Sequence, residues 1–137
     1  MALYEWSDEY SVGIGTMDSH HQKLFDIINK MHDAMKAGDG EDVIAAAINE
    51  LIDYTKYHFG EEEKIMESIN YSGIAGQKAA HKAFIDSLLK YKDDIDNGMA
   101  IFAVSEISTT AVKWLTDHIL IMDKQYEDDM KAAGYGN

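Results

Sequence analysis

Six polar residues stand where a repeating apolar pattern calls for apolar ones: His21, His58, Glu62, Gln77, His81 and His118. Burying one such group without a partner costs roughly 2–7 kcal/mol on transfer to a medium that offers none, and a bare carboxylate costs far more. A domain held together by about 5–15 kcal/mol cannot carry several of them independently. They must share a partner, and a metal ion satisfies many at once. The spacing fits. His58 and Glu62 are four apart, so one helix face presents both at nearly the same height, and Gln77 and His81 repeat that geometry. Asp123 follows His118 by five residues, an offset that a carboxylate near a helix end would have to span, and His21 adds a further imidazole.

Imidazole and carboxylate donors suit iron, manganese or zinc, and the chain has no cysteine, which excludes thiolate sites, disulfides and cysteine nucleophiles. Two carboxylates able to bridge, among several imidazoles, point to two metals rather than one. The carboxylates and a hydroxide would balance most of the charge of two divalent ions, which makes the assembly far cheaper to bury than the bare cations. Two histidines stand apart from this set. His20 lies off the apolar stripe and is expected at the surface. His32 follows His21 by eleven residues, roughly 16 Å along a helix axis, too far to share a site.

The elements that must position these residues are four helices at about 18–37, 42–69, 74–96 and 100–133. Their stripes run Met17, His21, Leu24, Ile28, Met31, Met35; then Ile44, Ile48, Leu51, Thr55, His58, Glu62, Ile65, Ile69; then Ile74, Gln77, His81, Phe84, Leu88, Tyr91, Ile95; then Val104, Ile107, Ala111, Trp114, His118, Ile121, Gln125. Alternating steps of three and four residues make a packing seam. The absence of proline leaves long helices unbroken, and Gly38-Asp39-Gly40, Asn70 to Gly73 and Asn97-Gly98 supply the stops. Short connections make neighbours antiparallel. The expected fold is therefore all-α, an up-down-up-down four-helix bundle in one domain, with residues 1–17 as an arm packed over it through Trp6, Val12 and Ile14, and a frayed tail at Gly134 to Asn137.

Charge and hydropathy exclude other classes. Twelve basic against 25 acidic residues give a net charge of −13, which argues against nucleic acid or an anionic membrane surface as partner. No apolar run approaches the roughly 20 residues a membrane span needs. The polar, aromatic segment from Met1 to Ser11 lacks the basic start and apolar core of an export signal. A cytoplasmic protein, monomeric in solution, is expected.

Taken together, Trp6, Asp18-Ser19-His20-His21, His58-Phe59-Gly60-Glu61-Glu62-Glu63 with Met66, His81 with Phe84, and Trp114 through His118-Ile119 to Asp123 resemble the hemerythrin family, specifically its single-domain bacterial members, over nearly the whole length. The resemblance implies a non-heme di-iron centre with an oxo or hydroxo bridge. His21 and His58 would bind one iron, His81 and His118 the other, and Glu62 and Asp123 would bridge them. It implies dioxygen as the partner, bound reversibly for storage, transport or sensing, and no catalytic residue. Leu24, Phe25, Phe59, Trp114 and Ile119, each on or beside a ligand's turn, are candidates for a dry dioxygen pocket. The alternative is a di-iron peroxidase or oxidase, which the same topology supports with more carboxylates. One departure stands out: the family pattern has a histidine four residues before His81, and this chain has Gln77. The amide can ligate weakly, water can fill its place, or that iron can be left five-coordinate and open to exogenous ligands. Weaker iron retention and faster autoxidation are expected in each case.

Overall fold

In a computed structural model of the chain, residues 6–38 and 40–135 are described. Parts of the N-terminal arm (1–5), of the first stop signal (Asp39) and of the C-terminal tail (136–137) lie outside them. The elements are α1 (Gly15–Lys36), α2 (Glu41–Ser68), α3 (Ile74–Asp96), α4 (Ala100–Glu106), a π-helical turn (Ile107–Ala111), α5 (Val112–Ile121), a 3-10 turn (Asp123–Tyr126) and α6 (Glu127–Ala132). The run from α4 to α6 forms the fourth rod. α1 packs on α2, α2 on α3, α3 on α4, and α4 back on α1, which closes a four-helix bundle. The connections are tight. Asn70 takes φ 54° and Gly98 φ 84°, the left-handed residues that let the chain leave α2 and α3.

The first three stripes lie inward as their periodicity predicts. Leu24, Ile28, Met31, Ile44, Ile48, Leu51, Phe84, Leu88 and Ile95 are buried, while Ile65 and Ile69 are only partly covered and Met66 takes the inward place. The fourth rod differs. Its inward residues are Val104, Ile107, Val112, Leu115 and Ile119, whereas Ile121 is 62% exposed and Gln125 faces solvent. The π turn inserts one extra residue, so the seam steps by five from Ile107 to Val112 and Leu115 and Ile119 line it, while His118 stays buried beside them. A uniform repeat cannot register that step.

α1 begins at Gly15, three residues earlier than the pattern suggests, and the arm accordingly ends at Ile14. Asp18 pins it: Ser11 Oγ donates to Asp18 Oδ2 at 2.6 Å and the Val12 amide to Oδ1 at 2.8 Å. Val12 and Ile14 are buried, and Trp6 and Tyr10 pack around Phe25 with ring centroids 5.7 and 5.3 Å away. In the tail, the Tyr135 amide donates to the Met130 carbonyl at 2.9 Å and its hydroxyl lies 3.3 Å from Ser68 Oγ, so this part is tied to α2. Among the described residues no helix is long and apolar enough to cross a membrane.

Candidate metal centre

All four rods send polar side chains to one buried layer. His21 comes from α1, His58 and Glu62 from α2, Gln77 and His81 from α3, His118 from α5 and Asp123 from the 3-10 turn; none is more than 5% exposed. Glu62, His81, His118 and Asp123 offer donor atoms lying within 4.8 Å of one another, and so do His21, His58 and Glu62. Glu62 belongs to both groups. Its Oε1 is 2.9 Å from His81 Nε2, and its Oε2 is 3.4 Å from His58 Nε2 and 3.7 Å from His21 Nε2. Asp123 joins the halves from the other side, with Oδ2 3.2 Å from His21 Nε2 and Oδ1 3.1 Å from His118 Nε2.

The fourth rod reaches this layer through its own backbone. In a regular α-helix Asp123 would sit roughly 140° around the axis from His118. The helix instead stops at Ile121 and tightens into the 3-10 turn, which brings Asp123 inward without a long side-chain reach.

These atoms are close without being paired. The Nε2 atoms of His21, His58, His81 and His118, together with Glu62 Oε1, are buried and make no hydrogen bond. Each unsatisfied buried group costs about 1–3 kcal/mol, so this set would consume most of a small domain's stability. Four imidazole nitrogens and two carboxylates converging in this way fit cations of the iron, manganese or zinc type.

Around the cluster the opposite ring edges of His81 and His58 are held, whereas His21 Nδ1 is buried without a partner. His81 Nδ1 lies 2.8 Å from Glu63 Oε2, to which it donates. His58 Nδ1 lies 2.9 Å from His20 Nδ1, one donating to the other. Tyr126 donates its hydroxyl to Glu62 Oε2 at 2.7 Å. Gln77 Nε2 donates to Asp123 Oδ1 at 3.1 Å, and its Oε1 is buried without a partner. Phe59 stacks on His81 with centroids 3.8 Å apart, and Trp114 stacks on His118 at 4.7 Å.

The electrostatics of the metal-free cluster are split. Burial, assisted by His21, holds His58 down at about 3. Burial also opposes charge on His21, but Asp123 and Glu62 beside it outweigh that and push it up to about 9. Burial likewise works against Glu62, yet His58, His21 and His81 hold its carboxyl well below the usual range.

The chain matches the family model described as the hemerythrin HHE cation binding domain over residues 12–128. The chain belongs to the hemerythrin family. The bacteriohemerythrin of Clostridium acetobutylicum is 34% identical, covering 92% of this chain and all of that one. The myohemerythrin of Riftia pachyptila is 30% identical over 93% of both chains. A crystal structure of wild-type hemerythrin superimposes with a TM-score of 0.83 at 28% identity, covering 94% of this chain and 98% of that one.

Within this hemerythrin fold, the seven residues singled out from the sequence come together in one layer. His20 does not behave as expected. It is 7% exposed, packed against Tyr54 and Tyr57, and bonded to His58. Its position off the stripe puts it between α1 and α2, a second buried seam that a single-stripe reading misses. His32 does lie away from the layer, with Nδ1 3.3 Å from Ser108 Oγ in the π turn. Of the pocket candidates, Phe59 and Trp114 stack on the His81 and His118 rings, and Leu24 and Ile119 are fully buried; Phe25 instead belongs to the aromatic cluster under the arm. Tyr126 and Glu63 were not assigned from sequence. The signal for Glu63 is its place next to a ligand, and for Tyr126 its place one turn after Asp123.

Proposed function

We propose that this chain is a non-heme di-iron protein that binds dioxygen reversibly, for storage, transport or sensing, as a monomer in the cytoplasm. The observation that carries it is the buried layer of four unpaired imidazole nitrogens around two shared carboxylates. His21 and His58 would hold one iron, His81 and His118 the other, and Glu62 and Asp123 would bridge them, with an oxo or hydroxo group completing the pair. When bound, iron would supply redox-active coordination chemistry toward dioxygen.

The protein's part is to orient and to exclude. With its Nε2 free to hold the metal, His58 would keep its proton on Nδ1 and donate it to His20, which burial holds as the neutral acceptor. Glu63 does the same for His81, with a full negative charge that makes the imidazole a stronger donor. Tyr126, kept protonated by burial and by Glu62, fixes the bridging carboxylate. Phe59 and Trp114 stack on the His81 and His118 rings and shield one face of each. Only two carboxylates face four histidines, a ligand balance that favours holding oxygen over strong oxidation.

The test is iron per chain with the visible spectrum recorded anaerobically, in air, and after return to anaerobic conditions. Two irons and a band that comes and goes with oxygen are expected. Irreversible oxidation would favour a peroxidase or oxidase, and no bound metal would overturn the reading.

A further inference from the structure

The two halves of the layer are not equally furnished. On the side of His21 and His58, two imidazoles face the shared carboxylates. On the other side, α3 and α5 present His81, His118 and a side chain that differs in kind, Gln77. Its amide nitrogen is committed to Asp123 Oδ1, at 3.1 Å. An amide of fixed length that holds a bridging carboxylate by Nε2 acts as a clamp on that carboxylate. It offers the layer only a neutral carbonyl, Oε1, which is buried and unpartnered.

The same side also carries an opening. A groove of about 240 Å³ lies between α3 and α5, lined by Ala80, Trp114, Asp117, His118, Ile121 and Met122. His118 is both a wall of this groove and a member of the buried layer. Met122 reaches across to α3 at Gly76, the residue before Gln77: a Cβ on Gly76 would stand 3.9 Å from Met122 Cε. The unbranched Met122 side chain is thus the flexible part of the wall over the turn that carries Gln77.

We infer that the His81–His118 side carries a second small-ligand position, beside Gln77 and reached along the Ala80–Met122 groove. It would take a small anion or neutral diatomic that binds iron at the place an imidazole donor would otherwise fill, while the Gln77 amide nitrogen holds Asp123. Gln77 is then a positioning residue rather than a ligand. The inference rests on the di-iron reading above, and iron content separates the two.

The probe is azide, titrated into the oxidised, iron-loaded full chain after iron has been counted. Two irons and one azide bound per iron are the expected result. The Gln77→His variant supplies an imidazole in that place and should lose the second azide while keeping the first. Gln77→Glu should do the same with a carboxylate, which guards against misfolding of either variant alone. An Ala80→Trp variant, altered only in the groove wall, should slow the second azide and leave the first unchanged. Two irons with a single azide in the unaltered chain would overturn the inference, since Gln77 would then be filling the position itself. Two azides retained in both Gln77 variants would also overturn it. Fewer than two irons would instead overturn the di-iron reading on which it stands.

Discussion

The two halves of this bundle are built on opposite terms. At one end Ile28, Met31, Ile44, Ile48, Leu88, Ile95, Val104 and Ile107 interlock, and every one is buried and apolar. At the other end the same seam positions carry His21, His58, Glu62, Gln77, His81 and His118, five of which hold unpaired buried atoms on the ring or carboxylate edge that faces the layer; the sixth, Gln77, leaves its carbonyl unpaired. The apolar end needs no bound group, because burial of each aliphatic side chain contributes about 1.5–3 kcal/mol with no polar partner required. The polar end is a liability until cations fill it. The lesson is that one periodic seam can divide stability from function along its length: volume decides what is tolerated at one end, donor chemistry at the other.

Removing that chemistry should give the largest effect. Glu62→Gln keeps the shape but takes away the charge that the two groups of histidines share, and loss of the iron pair is expected, measured as iron per chain on a protein that stays helical. Stripping iron from the unaltered chain should speed amide exchange around His58 to Glu62 and Trp114 to Tyr126, and leave Ile44 to Leu51 protected. Equal loosening of both ends would break the comparison. Next in size, Leu88→Ala in the apolar end should cost about 2–5 kcal/mol in denaturant unfolding, yet leave two irons bound. A variant that lost iron in proportion to stability would show the two ends to be one cooperative unit.

The metal-free chain should also have its own pH signature. His58, held at about 3 against an ordinary 6.5, binds fewer protons folded than unfolded, so its contribution is present above about pH 6.5 and is lost as pH falls towards 3. His21, raised to about 9, stabilises fully below pH 6.5 and ceases to do so as pH rises through 9. From these two groups the metal-free protein should be most stable near pH 6.5, where the two slopes meet, read as unfolding midpoints across the range. Bound metal should flatten the curve, because it holds both rings neutral.

What the sequence made legible follows from where the helices are regular. α2 and α3 run uninterrupted, so the four-residue spacings of His58 with Glu62 and Gln77 with His81 translate directly into one face. The fourth rod is irregular twice. The π turn shifts the seam from Ile107 to Val112, so Ile121 and Gln125, inward on a uniform repeat, lie outside. The 3-10 turn delivers Asp123, whose five-residue offset from His118 reads poorly on any straight helix. Backbone changes of this kind depend on packing partners and local side-chain bonds, such as Thr109 Oγ1 donating to the Ser105 carbonyl at 3.0 Å, that a periodic pattern does not encode. His20 shows a different limit: a residue one step off the main seam can be buried against the neighbouring helix, and only the angle between α1 and α2 decides it.

Tyr126 offers the finest probe of the boundary between the two ends. It is fully buried and apolar in its ring, like the far end, but its hydroxyl donates to Glu62 Oε2 at 2.7 Å, inside the polar layer. Tyr126→Phe preserves the packing and deletes only that bond. Hydrogen bonds to charged groups are worth about 1.5–3 kcal/mol, the loss expected in the metal-free chain, and less once metal shares the carboxylate's charge. The variant should therefore unfold earlier when metal-free, bind two irons, and release them faster to a chelator, because Glu62 is less firmly aimed. Unchanged release would make the hydroxyl a packing accessory satisfied by the nearest acceptor. Loss of iron as complete as in Glu62→Gln would mean that the orientation of the bridge, and not only its charge, decides whether the polar end is filled.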